Sequence, residues 1–130
     1  MLPFQSDITI KNSRRSVDAT VQRLTTLIAE RGMTIFATID QTAAARGVGL
    51  DLRDTVLVLF GSPAAGTPVM ETVPLAGLDL PLKVLVWDDE GQTRVSYLSP
   101  TALSARYGLT PSLAAPLAGI DHLTDVLVGP

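Results

Sequence analysis

The segment Thr55–Phe60 constrains the fold most, because apolar residues occupy every position after its first. Its length and its β-branched and aromatic content predict a strand. Successive strand side chains point to opposite faces of a sheet, so an uninterrupted apolar strand predicts burial on both faces. A second apolar segment, Leu82–Trp87, is interrupted only by Lys83. Its alternation places Lys83, Leu85 and Trp87 on one face and Leu82, Val84 and Val86 on the other.

The remaining segments complete an α+β pattern. Alternation over residues 8–11 predicts a first strand, and apolar spacing from Val17 to Ile28 predicts a helix capped by Ser13 or Ser16. A strand over 33–39 is followed by a short helix over 41–46, and an acidic turn at 88–92 joins two strands into a hairpin. The predicted order is β-α-β-(short α)-β-(short α)-β-β-α. Late hairpin pairing favours a mainly antiparallel sheet with the helices on one face.

Composition limits the function classes. The 130 residues are 46% apolar and 18% charged, which fits a single domain over 1–130. The net charge of −3 and the scattered basic residues give no basic face for nucleic acid. The chain has no cysteine, and we expect no metal and no cofactor. The apolar runs are too short to cross a bilayer, and residues 1–7 do not resemble a signal peptide, so we expect a cytoplasmic protein.

Polar residues at the ends of apolar strands are the candidate ligand site. Asp40 ends the strand over 33–39, and the segment Gly61–Thr67 follows the strand over 55–60. If these strands are neighbours, Asp40 and Ser62 could share one rim. We expect Thr67 to cap a helix with Pro68 at its first position, so that free N–H groups beside Gly66 could hold an anion. Lys83 could contribute a positive charge.

Each candidate also has a structural interpretation. Asp40 is more typical of a helix cap than of a general base. The acids at 88–90 favour a hairpin turn over a metal site. His122, the one histidine, has only Asp125 at helical spacing, which favours a surface position. Lys83 is also typical of a solvated strand lysine.

Several segments together resemble the bacterial and archaeal domain of unknown function numbered 302, over nearly the whole chain. They are 39–45, 58–63, 66–70, 80–87 and 97–100. The resemblance implies a TATA-box-binding-protein-like fold, frequent dimerisation and no assigned activity. Members often carry histidine where this chain has Gln41 and asparagine where it has Ser62. Glutamine cannot titrate near neutral pH, which favours binding over catalysis.

Three hypotheses follow. The first is a homodimer that binds a small polar or anionic ligand in a cleft, lined by Asp40, Gln41, Ser62, Gly66, Thr67 and Lys83. The second is an enzyme with Asp40 as general base and the loop 62–67 as an anion cradle. The third is a module that self-associates through its sheet surface or edge, without a ligand.

Overall fold

The computed structural model describes residues 7–130, and the interpretation of the extreme N-terminus as no signal peptide falls largely on residues 1–6, outside that range. Within the described range, five strands form one sheet in the order β1-β5-β4-β3-β2, and every neighbouring pair is antiparallel. The strands are β1 (Ile8–Ser13), β2 (Thr34–Asp40), β3 (Thr55–Gly61), β4 (Leu82–Asp89) and β5 (Gln92–Leu98). β4 is therefore the central strand, flanked by β3 and β5.

One face of this sheet is covered by α1 (Val17–Glu30) and α6 (Gly119–Val128). Ser16 caps α1 by accepting a hydrogen bond from the Ala19 amide at 3.0 Å. The apolar side chains of the two helices and of β3, β4 and β5 form the main core. Its fully buried members include Leu24, Ile28, Val58, Phe60, Val84, Val86, Val95, Leu123 and Leu127.

A second apolar cluster lies beyond the end of the sheet where β3 finishes and β4 begins. Around it pack α3 (Pro63–Thr72), a 3₁₀ helix (Pro74–Leu78), α4 (Pro100–Tyr107), α5 (Pro111–Ala114) and a second 3₁₀ helix (Ala115–Ala118). Its buried members are Val69, Ala76, Leu103, Leu109 and Leu117. The opposite end of the sheet carries α2 (Gln41–Arg46) and the hairpin turn between β4 and β5.

The predicted α+β class, antiparallel sheet, one-sided helices and element order are confirmed. The predicted start of the third helix is wrong. That helix begins at Pro63 with Ser62 at its N-cap position, so Thr67 and Pro68 lie inside it. Pro63 is as suitable for a first helical position as Pro68, and the two alanines that follow favour helix from there.

Candidate interaction face

The face of the sheet opposite α1 and α6 is apolar and is called the open face below. By the register and the alternation of side chains, its apolar members are Ile8, Ile10, Ala37, Ile39, Leu57, Leu59, Leu85, Trp87 and Leu98. Ile10 and Ile39 are 54% and 38% exposed, and the others are half-buried. Antiparallel sheets with one solvated face usually show polar side chains there. This face departs from that pattern on β1, β2, β3 and the centre of β4, whereas on β5 only Leu98 is apolar.

Trp87 lies on the central strand of the open face, one open-face position nearer the hairpin turn than Leu85. Its indole N–H donates a hydrogen bond to the Ser96 hydroxyl at 2.9 Å, and Ser96 is buried on the neighbouring strand. Because the single polar atom of the indole is satisfied inside the molecule, the ring presents only apolar surface outward. A partner that covers Trp87 therefore leaves no indole N–H without an acceptor.

The open-face positions of β4 run from a cation through two apolar residues to an anion: Lys83, Leu85, Trp87 and Asp89. The Lys83 ammonium donates to the Pro81 carbonyl at 3.1 Å. At the other end, Asp89 accepts a hydrogen bond from Arg94 on β5 at 3.1 Å. β4 thus carries a cation at its start and, at its end, an anion that is paired with Arg94 of β5.

A hollow of about 430 Å³ extends over this face to the Lys83 end of the sheet, where Asp79 and Leu103 border it. Asp79 accepts hydrogen bonds from the Tyr107 hydroxyl and, at 3.0 Å, from Arg106. The hydrogen bond from Tyr107 contributes most to lowering the pKa of the Asp79 carboxyl; burial opposes this and Arg106 adds to it. The carboxylate is therefore engaged with α4, at the border of the hollow.

The expectation that Asp40 and Ser62 share one rim is wrong. β2 and β3 are antiparallel: Asp40 lies opposite Val56, while Thr34 lies opposite Gly61. Six residues of extended chain separate these two ends by roughly 20 Å. Asp40 and Gln41 are therefore at one end of the sheet, and Ser62, Gly66 and Thr67 are at the other.

The expected anion cradle at Thr67 is not formed either. The Ala65 and Gly66 amides both donate to the Ser62 carbonyl at 2.9 Å, and Pro63 has no N–H. Thr67 itself is an exposed residue inside the helix. Lys83 is at the same end of the sheet as Ser62, but its register and alternation place it on the open face.

Asp40 performs the capping role. Its carboxylate accepts a hydrogen bond from the Ala43 amide at 2.9 Å, and both Asp40 and Gln41 are exposed. No cluster of three or more histidine, aspartate or glutamate side chains in residues 7–130 is arranged to hold a metal. Over the same residues, no helix combines the length and apolar character needed to span a membrane.

Reasoning from polar residues alone therefore missed the open face. The signal that could have found it is the apolar run of Thr55–Phe60, which predicts burial on both sides of β3. In the structure Val58 and Phe60 are buried beneath the helices, whereas Leu57 and Leu59 remain half-exposed.

Comparison with solved structures supports the fold. The chain matches the crystal structure of an uncharacterized conserved DUF302 protein from Bacillus stearothermophilus with a TM-score of 0.78. The match covers 94% of this chain and 95% of the other at 21% sequence identity, a likeness that concerns the fold alone.

Curated relatives add a different kind of likeness. The chain is 35% identical over 131 residues to proteins named fluoride-specific ion channel FluC 1 from Brucella suis biovar 1 (strain 1330) and Brucella abortus biovar 1 (strain 9-941). These matches cover 97% of this chain but only 52% and 48% of the two relatives. The chain thus spans about half the length of the curated relatives it matches.

The match to a family model extends over most of the described residues. The model of the domain of unknown function DUF302 matches residues 9–127, from β1 to the last turn of α6. The chain belongs to the DUF302 family.

Proposed function

We propose that this DUF302 domain is a self-association module whose open face packs against the open face of a second copy. The observation that carries the proposal is that β3 and the centre of β4 are apolar on both sides while α1 and α6 cover one side. Apolar area left in contact with water costs about 25 cal/mol per Å² relative to burial. Two antiparallel sheets commonly bury such faces by packing against each other about 10 Å apart.

The size of the face suits a second copy. Five strands about 4.8 Å apart, each about 20–26 Å long, present a flat area of roughly 500 Å². Two such flat faces together would bury about 1,000 Å², and the uneven surface of the side chains would add to this area. The flat area alone is close to the lower bound for a specific interface.

The polarity of β4 suits a two-fold arrangement. When two copies of the strand face each other in opposite directions, Lys83 of one copy meets Asp89 of its partner. The same arrangement brings Leu85 against Trp87. A two-fold contact requires a surface that complements itself in this way. The ion pairs would lie at the ends of the interface and would fix its register.

The oligomeric mass in solution tests the proposal. We expect the wild type to sediment as a species of about 27 kDa, twice the 13.7 kDa of one chain. Leu85→Asp places a charge in the centre of the face and should give the monomer. Leu78→Asp is the matched control, because Leu78 is 77% exposed on the first 3₁₀ helix and lies outside the open face. A monomeric wild type, or a dimeric Leu85→Asp variant, would remove the proposal.

A charge exchange tests the arrangement. Lys83→Glu should weaken the dimer by placing a carboxylate opposite Asp89 of the partner. Adding Asp89→Lys to that variant should restore part of the lost association. Equal dimerisation of the single and double variants would contradict the opposed packing of the two β4 strands.

The ligand and enzyme hypotheses have less support. A cleft shared by Asp40, Gln41, Ser62, Gly66, Thr67 and Lys83 would require residues from opposite ends of the sheet. The Asp40 carboxylate bonds the first turn of its own helix, which accounts for the residue without a reaction.

A second candidate function is a role beside a fluoride channel. It is favoured by the match of nearly the whole chain to about half of proteins that are named fluoride-specific ion channels. In this proposal the domain assists such a channel by bringing its chains together, and does not itself conduct. Deleting its gene should lower the fluoride concentration that arrests growth, and the wild-type chain, but not Leu85→Asp, should reverse this. Unchanged fluoride sensitivity in the deletion strain would refute the link.

A further inference from the structure

A separate cavity of about 260 Å³ lies at the end of the sheet where β3 passes into α3. It is bounded by the start of β4, the region around the bulge in β2, and the second 3₁₀ helix. Its larger apolar lining residues are Met33, Phe36, Met70, Leu80, Leu82 and Leu117. Ser62, at the N-cap position of α3, and Gly66, within α3, complete the wall.

The lining determines the chemistry that the cavity accepts. None of the described residues that form its wall carries a charge. An ion inside it would lose hydration without gaining a partner of opposite charge, which is strongly unfavourable. The Ser62 side chain makes no capping hydrogen bond to α3, so its hydroxyl is available to one polar group of a guest molecule.

Phe36 and the two methionines give this wall an adaptable surface. The pairing of β2 with β3 shifts register between Ile35 and Ala37, so Phe36 is the extra residue of a β-bulge and is 53% exposed. Bulges redirect a side chain away from the regular alternation of a strand. Methionine sulfur makes favourable contacts with aromatic rings, and its side chain adapts to irregular shapes.

We propose that this cavity binds a small, neutral, mostly apolar molecule that carries one hydrogen-bonding group. Its volume is slightly below the range of about 300–1,000 Å³ for drug-sized ligands, which limits the guest to about a single ring. The site is distinct from the open face and does not depend on self-association.

The methionines allow a direct test. The chain has three, Met1, Met33 and Met70, and two of them line the cavity. In a sample labelled with ¹³C at the methionine methyl groups and titrated with phenol, we expect saturable shifts of the Met33 and Met70 signals. Signals are assigned from Met33→Leu and Met70→Leu. Benzoate, which has the same ring with a carboxylate, should produce no saturable shift at either signal.

Two glycine substitutions, one that fills the cavity and one that lies away from it, form a matched pair of variants. A Cβ at Gly66 would lie 3.9 Å from both the Leu80 Cδ1 and the Met70 Cε, so Gly66→Leu should extend along this wall and weaken phenol binding by about tenfold or more. Gly119→Leu is the control, because a Cβ there meets nothing within 4 Å at the start of α6.

Two results would overturn the proposal: no saturable shift of Met33 and Met70 with phenol, or phenol binding unchanged in Gly66→Leu. Benzoate binding as tightly as phenol would overturn the assignment of a neutral guest. The oligomeric mass should not change with phenol, which separates this test from that of the open face.

Discussion

The two faces of the sheet are built from similarly apolar sequence but have different environments. Beneath α1 and α6 lie Val58, Val84, Val86 and Val95, all fully buried. On the open face the large apolar side chains are leucine, isoleucine and tryptophan, and these are half-buried or exposed. The apolar sequence of β3 and β4 therefore predicts that both faces of these strands are covered, whereas the described residues cover only one face.

The polar groups of the two faces differ as well. On the covered face, Lys11, Tyr97 and Thr124 join α6 to β1 and β5. The Tyr97 hydroxyl donates to the Asp121 carboxylate at 2.5 Å, and the Lys11 ammonium donates to the Thr124 hydroxyl at 2.7 Å. On the open face, the charged groups of β4 lie at the ends of the strand. On the covered face, a hydrogen-bond network whose groups are all paired holds α6 against the sheet of the same chain. On the open face, the charges lie at the margins, so the apolar centre can pack against another surface.

The largest predicted difference between the faces is in how much the free energy of unfolding falls when a side chain is shortened to alanine. Phe60→Ala on the covered face should lower the free energy of unfolding by about 3–5 kcal/mol, because it leaves a cavity beneath the helices. Leu59→Ala, at the preceding position of β3 and half-buried on the open face, should cost well under half as much in the monomer. Urea unfolding followed by circular dichroism, in the Leu85→Asp background, measures both.

Equal losses from these two truncations would show that the open face is packed within one chain. That result would also contradict the proposed role of this face in self-association.

A smaller effect is predicted for the network of the covered face. Tyr97→Phe should cost about 1–2 kcal/mol, because Asp121 and Thr124 lose a buried partner. Burial and then the hydrogen bond to Asp121 raise the pKa of Tyr97 above its usual value near 10. Its contribution is therefore fully present below about pH 10 and is lost as the pH rises through the higher pKa of the folded state.

Urea unfolding between pH 8 and pH 11 checks the sign, because this interval begins about two units below the ordinary tyrosine pKa and ends about one unit above it. The wild type should lose stability at the alkaline end, and Tyr97→Phe should lose less. Burial is the largest single influence on the pKa of Lys11 and lowers it, but Asp125 and the neighbouring Tyr97 together raise that pKa above its usual value. Part of the alkaline loss should therefore persist in the variant. An identical alkaline loss in both proteins would assign it to other groups.

Local chemistry made much of the fold predictable. Asp40 caps α2, Ser16 caps α1, and Gly91 with a φ of 93° completes the hairpin turn; each depends on residues only a few positions apart. The helix start at Thr67 was wrong because two Ser/Thr–Pro pairs compete within the seven residues 62–68, and the pairs themselves do not decide which one begins the helix. Such choices depend on packing against the second apolar cluster.

The candidate site was less predictable because it depends on how distant segments are arranged. Asp40 and Ser62 would meet only if β2 and β3 delivered their C-terminal ends to the same edge, as parallel neighbours do. Antiparallel pairing sends them to opposite ends. The open face could be anticipated from the alternation of β4, but which face the helices cover is set by the path of the chain as a whole.

The smallest predicted effect concerns Asp79, at the border of the open-face hollow. Its pKa is lowered, chiefly by the Tyr107 hydroxyl, so its contribution to stability is present above the unfolded pKa near 3.9 and is lost as the pH falls through the lower pKa of the folded state. Because the Asp79 side chain is 25% exposed and Arg106 is 48% exposed, we expect Asp79→Asn to cost less than about 1 kcal/mol at pH 7. Urea unfolding at pH 7 and pH 3 should show the difference from wild type narrowing in acid. Asp51→Asn in an exposed loop is the control. If the difference in the free energy of unfolding between wild type and Asp79→Asn widened in acid instead, the carboxylate would be straining the contact between the first 3₁₀ helix and α4. This border of the open face would then be held by apolar packing alone.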